Sequence, residues 1–163
     1  MSYRIGEGID VHPFREDRPL ILGGVRISAQ GGLDGHSDAD AVLHAVTDAI
    51  LGALGAGDIG EYFPSTDQRW RGADSRVFIT EAIRLMRERG GRLENVDITV
   101  LTEIPKLSPH RAAMRENIAG MLEIDSQRVN VKATTTDKLG FLGRREGLCA
   151  VAVALLAFDG ENA

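Results

Sequence analysis

Cysteine is nearly absent: Cys149 is the only one in 163 residues. No intrachain disulfide can form, so the fold must rest on a packed core, and a reducing compartment suits it. Aromatic residues make up only 5% of the chain. Nowhere do they alternate with basic residues as a nucleic-acid surface would require. An excess of positive charge is missing too: 19 Lys and Arg face 24 Asp and Glu, for a net charge of -5. That excludes a broad electrostatic footprint for nucleic acid. No apolar run is long enough to cross a bilayer. The start, Tyr3-Arg4-Ile5-Gly6-Glu7, lacks the basic opening and apolar stretch of a signal peptide. There is no internal repeat and no low-complexity linker. What remains is one domain, residues 1–163, whose 43% apolar content can fill a core. Cys149 sits in the apolar run Leu148 to Leu156 and reads as a small buried hydrophobe.

Periodicity divides the chain into strands and helices. Tyr3 to His12 reads as a strand, which Pro13 should stop. Leu20-Ile21-Leu22 and Val25-Arg26-Ile27 around Gly23-Gly24 read as a hairpin or bulged strand. After the loop Gly31 to Gly35, Ser37 or Asp38 should cap a helix with acidic residues in its first turn. Its apolar stripe is Val42, Val46, Ile50 and Leu54, widened by Leu43 and Leu51. Asp58 to Asp67 reads as a polar loop. A second helix spans Ser75 to Arg89, with Phe78, Ile79, Ala82, Ile83 and Met86 inward and Gly90-Gly91 at its end. Asn95 to Thr102 is a half-buried strand. Ser108-Pro109 should open a third helix, with His110 structural and Met114, Ile118, Met121 and Leu122 inward. Val129 to Ala133 is a strand. Leu148 to Phe158 is a strand apolar enough to be covered on both faces. The pattern predicts an α/β (α+β) domain: a mixed sheet with helices packed on one face.

Chemistry concentrates near the N-terminus. Asp10 and His12 lie two apart in a strand and so share a face. His44 lies off its helix's stripe, with Asp40 and Asp48 at i−4 and i+4 as candidate partners for its ring. One carboxylate and two imidazoles on two rigid elements match a three-ligand zinc site with an open fourth position. Ordinary polar surface residues are the competing reading. Further on, Thr134-Thr135-Thr136 precedes Asp137. Hydroxyls and backbone N–H groups there would suit phosphate oxygens, and the carboxylate a hard cation. Lys106, Lys138 and Arg144 offer positive charge. These pieces together suit metal-dependent phosphoryl transfer by positioning and charge neutralisation.

The segments Gly8 to His12, His36-Ser37-Asp38 with His44, Asp58-Ile59-Gly60, Phe63 to Asp67, Gly72 to Ser75, Ala133 to Thr136 and Gly140-Phe141 to Gly143-Arg144 carry a resemblance. In this order, over essentially the whole chain, they resemble the 2-C-methyl-D-erythritol 2,4-cyclodiphosphate synthase family, of the non-mevalonate isoprenoid pathway.

The resemblance implies a lyase that cyclises 4-diphosphocytidyl-2-C-methyl-D-erythritol 2-phosphate and releases CMP. Asp10, His12 and His44 would hold Zn²⁺, and Asp137 a second ion, Mg²⁺ or Mn²⁺. His36 and Thr135 would align the transferring phosphoryl group. Ser37, Asp58, Ile59, Gly60, Phe63, Pro64, Ser65, Thr66 and Asp67 would form the methylerythritol phosphate pocket. The cytidine loop would be Thr102, Glu103, Ile104, Pro105, Lys106, Leu107 and Ser108. Thr134, Thr136, Phe141 and Arg144 would complete the substrate contacts. The resemblance further implies a homotrimer with sites between subunits and, in some relatives, an isoprenoid diphosphate in the trimer cavity. Charge and apolar runs lead one to expect no nucleic acid and no membrane, and the lack of a transit peptide a bacterial cytoplasmic enzyme or a mature plastid form. Three positions depart from the family pattern: Asp137 for the usual Glu, Ile9 for a common aromatic, and Arg145 for a usual Gly. Two rivals stand beside this reading. A zinc phosphohydrolase would use the same ligands with an activated water. A binding-only trimer would need a closed structural zinc site, and no fourth Cys or His is near.

Overall fold

The most apolar stretch of the chain forms the middle of the sheet in the computed structural model, which describes residues 1–159. Residues 160–163 of the expected domain lie outside the described residues. This central strand, β7 (Gly147–Phe158), runs antiparallel to β1 (Ser2–Arg15) on one side and to β5 (Gly91–Leu101) on the other. Two more strands complete the order β4-β1-β7-β5-β6, with β4 at Gly32–Leu33 and β6 at Val129–Thr134. Only the β5–β6 pair is parallel, so the sheet is mixed, as predicted. A separate hairpin joins β2 (Leu20–Leu22) to β3 (Val25–Ser28) through Gly23 and Gly24, both at positive φ.

The helices are α1 (Ala41–Leu54), α2 (Ile59–Tyr62), α3 (Arg76–Glu88), α4 (Arg111–Leu122) and the single turn α5 (Gly140–Gly143). The long ones cover one face of the sheet. Val96, Ile98 and Val100 of β5 and Ala150, Ala152 and Ala154 of β7 point into that layer and are fully buried or nearly so. No helix among the described residues is long and apolar enough to cross a membrane.

Several expectations need correction. Pro13 does not end β1; it pairs with Gly147 at the start of β7, and the strand runs on to Arg15 beside β4. The missing N–H costs nothing here because the ladder continues through Phe14 N–H to the Glu146 carbonyl, 2.9 Å. The cap of α1 is neither Ser37 nor Asp38 but Asp40, whose carboxylate accepts the Leu43 N–H; the first turn holds no acidic residue. The same carboxylate accepts the N–H groups of Gly23 (2.9 Å) and Gly24 (2.6 Å), tying the hairpin to the helix. Burial drives the Asp40 carboxyl up to about 6, against the pull of those three donors. Instead of one apolar stripe, α1 is buried almost all round, His44 included, because sheet and helices enclose it. Part of the expected loop 58–67 is the short helix α2. Helix α4 starts two residues later than Ser108-Pro109 would place it, with a turn before it in which His110 N–H meets the Leu107 carbonyl. β5 begins earlier than Asn95, with an irregularity between Leu93 and Asn95. Finally, β7 is covered on one face only: Val151 and Leu155 are half-buried and Val153 is exposed.

Candidate metal centre and flanking pockets

Strand alternation sends Asp10 and His12 to the helix side of β1, and α1 crosses there at unusually close range. Gly6 and Gly8 permit it: a Cβ on Gly8 would stand 2.0 Å from the Ala45 carbonyl oxygen. His44, on the same helix, thereby meets Asp10. Asp10 Oδ2 lies 2.8 Å from His12 Nε2 and 3.1 Å from His44 Nδ1. One ligand atom from each residue falls within 4.8 Å of the other two. Tetrahedral zinc with bonds of about 2.0 Å would set its donors about 3.3 Å apart, so the cluster needs little adjustment to take the ion.

The outer ring nitrogens are fixed as a metal site requires. His12 Nδ1–H donates to the Asp34 carbonyl, 2.6 Å, leaving Nε2 facing Asp10. His44 Nε2–H is shared between Ser75 Oγ (2.9 Å) and Ser37 Oγ (3.1 Å), leaving Nδ1 inward. Ser75 Oγ in turn donates to Asp38. Neither Asp40 nor Asp48 orients His44, contrary to expectation. Asp40 is occupied by the hairpin, and Asp48 accepts the Ile59 N–H at 2.7 Å. Burial would raise the Asp10 carboxyl, but hydrogen bonding and electrostatic attraction from His12 and His44 outweigh it and bring it down to about 2. For His12 burial pulls the imidazole down, and the Asp10 carboxylate beside it outweighs that, for a net rise.

The cluster forms one wall of a cavity of about 270 Å³. His36, Ser37, Ile59, Gly60, Phe63 and Ser65 line it, as the sequence led one to expect, together with Trp70 and Phe78. Phe63 packs on Phe78 at 4.6 Å and edge-on to Trp70 at 4.9 Å, making an apolar wall. His36 Nε2–H reaches the Asp67 carbonyl at 3.2 Å. Other expected members point elsewhere. Asp58 caps α2, the Asp67 carboxylate pairs with Arg69, and Pro64 and Thr66 do not line the cavity.

A second cavity, about 250 Å³, lies where β5 and β6 end. Thr102, Glu103, Pro105, Lys106, Leu107, Ser108, Thr134 and Thr135 line it, and so does Arg111, which the sequence reading missed. Ile104, Thr136, Asp137, Phe141 and Arg144 do not; Arg144 is exposed and pairs with Glu146 at 2.7 Å. The N–H groups of Thr136 and Lys138 are engaged by Glu103, so the threonine run does not offer them as a phosphate cradle. Arg145, where the family pattern has glycine, sits in left-handed backbone at φ 63. The two cavities share no lining residue, so His36 and Thr135 are not brought together within one chain.

Comparison with known proteins agrees with the geometry. The model of the YgbB family matches residues 3–157. The 2-C-methyl-D-erythritol 2,4-cyclodiphosphate synthase of Synechococcus elongatus is 54% identical over 157 residues, covering 96% of this chain and 98% of that protein. The bifunctional enzyme IspD/IspF of Brucella suis is 52% identical over 158 residues, which cover 97% of this chain but 40% of that longer protein. The solved structure of Plasmodium falciparum IspF in complex with CDP superposes with a TM-score of 0.86 at 35% identity, covering 98% of both chains. With its whole folded length matched in sequence and structure, the chain belongs to the YgbB family, that of the 2-C-methyl-D-erythritol 2,4-cyclodiphosphate synthases.

Proposed function

We propose that this protein converts 4-diphosphocytidyl-2-C-methyl-D-erythritol 2-phosphate to 2-C-methyl-D-erythritol 2,4-cyclodiphosphate and CMP, a step of the non-mevalonate isoprenoid pathway. The observation that carries the reading is the convergence of Asp10, His12 and His44 on one point in the wall of a polar–aromatic cavity. A 2-phosphate oxygen of the substrate bonds to the β-phosphorus, the bond from that phosphorus to the bridging oxygen breaks, and CMP leaves with the electron pair. No water enters the balance. Asp10, His12 and His44 would hold zinc, and Asp137 a Mg²⁺ or Mn²⁺ ion shared with the diphosphate. Zinc held there supplies a Lewis acid beside the reacting phosphate. Asp137 is an exposed carboxylate in no ion pair among the described residues, which fits an ion bound through one carboxylate and substrate oxygens.

This chain's own groups do the rest. His36 and Ser37 lie beside the metal ligands, where the Ser37 hydroxyl can donate to the phosphate and the His36 ring helps to align it. Phe63, Trp70 and Phe78 exclude water from that end. Lys106, Arg111 and Thr134 line the nucleotide end, and the CDP complex of the Plasmodium relative supports a cytidine ligand for it. The separation of the two cavities supports a homotrimer in which one chain's metal end faces its neighbour's nucleotide end. The same reading places the enzyme in the cytoplasm. The test is ³¹P NMR of the protein with substrate, zinc and Mg²⁺. CMP with a coupled pair of cyclic diphosphate resonances is expected. Inorganic phosphate would instead identify a zinc phosphohydrolase and overturn the reading.

A further inference from the structure

Glu103 stands just past the end of β5, one strand away from the loop that follows β6. These two parallel strands stay in register from Val96–Val129 to Leu101–Thr134, so both chains leave the sheet at the same end. Thr102 N–H adds one further bond to the Thr134 carbonyl, 3.0 Å. Glu103 then turns its carboxylate across to the neighbouring loop. Its Oε1 accepts the N–H of Thr136 at 3.1 Å and that of Lys138 at 3.1 Å, and lies 3.5 Å from Thr136 Oγ1. The residue between the two donors is Asp137.

That loop has reason to need an anchor. Asp137 and Lys138 are both in left-handed backbone, at φ 53 and 66, a conformation that Asp tolerates and that is unfavourable for Lys. The loop's own side-chain bonds are short-range. Thr136 Oγ1 donates to the Leu139 carbonyl at 2.7 Å, and Asp137 N–H meets Thr135 Oγ1 at 3.3 Å. Among the described residues, the hydrogen bonds that reach residues 136–138 from outside the loop come from Glu103, an anion closing a nest of backbone donors. Its engaged oxygen is therefore committed to the backbone and not to a nucleotide.

We propose that Glu103 is a positioning residue whose carboxylate holds the loop 135–138 so that Asp137 is presented to a divalent ion shared with the substrate diphosphate. The proposal rests on the cyclodiphosphate synthase reading, which assigns Asp137 that ion. It replaces the expectation that Glu103 contacts the nucleotide directly.

The test compares Glu103→Ala with Glu103→Gln in the full chain, using Mn²⁺ as probe ion and CDP as nucleotide. Glutamine keeps an acceptor oxygen at the Oε1 place, and alanine removes it. In Glu103→Ala the Mn²⁺ concentration for half-occupancy, read by EPR with CDP present, should rise about tenfold, as for loss of a group that orients a metal ligand. The half-activating concentration for cyclisation should rise with it. CDP affinity without divalent ion and bound zinc should stay at wild-type values. Glu103→Gln, which keeps the acceptor but not the charge, should lie much nearer wild type than Glu103→Ala in Mn²⁺ affinity. Weaker CDP binding at unchanged Mn²⁺ affinity would overturn the proposal and make Glu103 a nucleotide contact. So would a glutamine variant as impaired as the alanine one. If Glu103→Ala does not fold, Glu103→Asp, with its carboxylate withdrawn by one methylene, must weaken Mn²⁺ binding in the same assay or the proposal fails. Wild-type protein that binds Mn²⁺ and CDP yet forms no cyclic product overturns the synthase reading, while the EPR comparison still decides Glu103.

Discussion

Ser75 immediately precedes α3, yet its hydroxyl makes no capping bond. An N-cap serine is ordinarily worth about 1 kcal/mol to a helix. Here the hydroxyl is fully buried and spent between the His44 ring and the Asp38 carboxylate. Its effect is to fix which nitrogen of His44 carries the proton, and so which one faces Asp10. Replacing it tests that directly. Ser75→Ala loses no cap but does lose two buried hydrogen bonds, so urea unfolding should show a loss of about 1–3 kcal/mol of stability. Zinc affinity of the folded protein, measured against a chelator, should fall about tenfold. Unchanged zinc affinity would remove Ser75 from the site. This residue also marks the limit of what is legible in the sequence. Asp10 and His12 are readable because strand alternation is local, and His44 because a helix follows the pair closely. Ser75 lies 31 residues from His44 in the chain, and a serine before a helical pattern reads as a cap. Asp40 and Asp48 misled because the i±4 rule concerns exposed helix surfaces, whereas α1 is buried.

At the scale of elements, the site depends on how closely α1 approaches β1. Gly6 and Gly8 face the helix backbone, and a Cβ on Gly8 would lie 2.0 Å from the Ala45 carbonyl oxygen and 2.8 Å from the Ala49 nitrogen. Those atoms belong to the helix backbone and cannot rotate aside. Gly8→Ala must therefore push α1 outward, at a cost of about 3 kcal/mol, the upper range of overpacking changes. Since Asp10 is two residues along from Gly8, the same displacement separates Asp10 from His44. Urea unfolding should show the lost stability. Zinc content at equal folded protein should fall as well, whereas a purely structural role for Gly8 would leave the zinc content intact. The longer strands and helices were legible from periodicity, and so was their order; the two-residue β4 and the short helices α2 and α5 were not. The ends were not: Pro13 and Ser108-Pro109 carry strong local signals that pairing with β7 and a preceding turn override.

At the scale of the molecule, the described residues leave one face of the sheet uncovered. On that face Ile5 is 71% exposed, Ile9 58%, Val11 46% and Val153 39%. Glu7 and Asp97 flank Val153 across the neighbouring strands, so the apolar side chains on this face are interrupted by charge. Exposed apolar side chains in this number suit an assembly interface, and they explain why β7 reads as doubly buried when the single chain covers it once. In the proposed trimer these side chains meet their copies, and the metal cavity of one chain closes against the nucleotide cavity of the next. Val153→Glu separates folding from assembly. Within the chain residue 153 is exposed, so a carboxylate there stays solvated beside Glu7 and Asp97, and the monomer should keep its fold and its zinc at a small cost in like-charge repulsion. In the trimer three carboxylates would enter an apolar interface without partners, each costing several kcal/mol. That exceeds what burying a valine contributes, about 1.5–3 kcal/mol. Light scattering should report a monomer, circular dichroism an unchanged fold, and the ³¹P assay no cyclic product. A variant that stays trimeric and active would move the interface to another face. A monomeric variant that still cyclises its substrate would show that one chain completes the site alone, and the two cavities would then have to meet by a movement within the subunit.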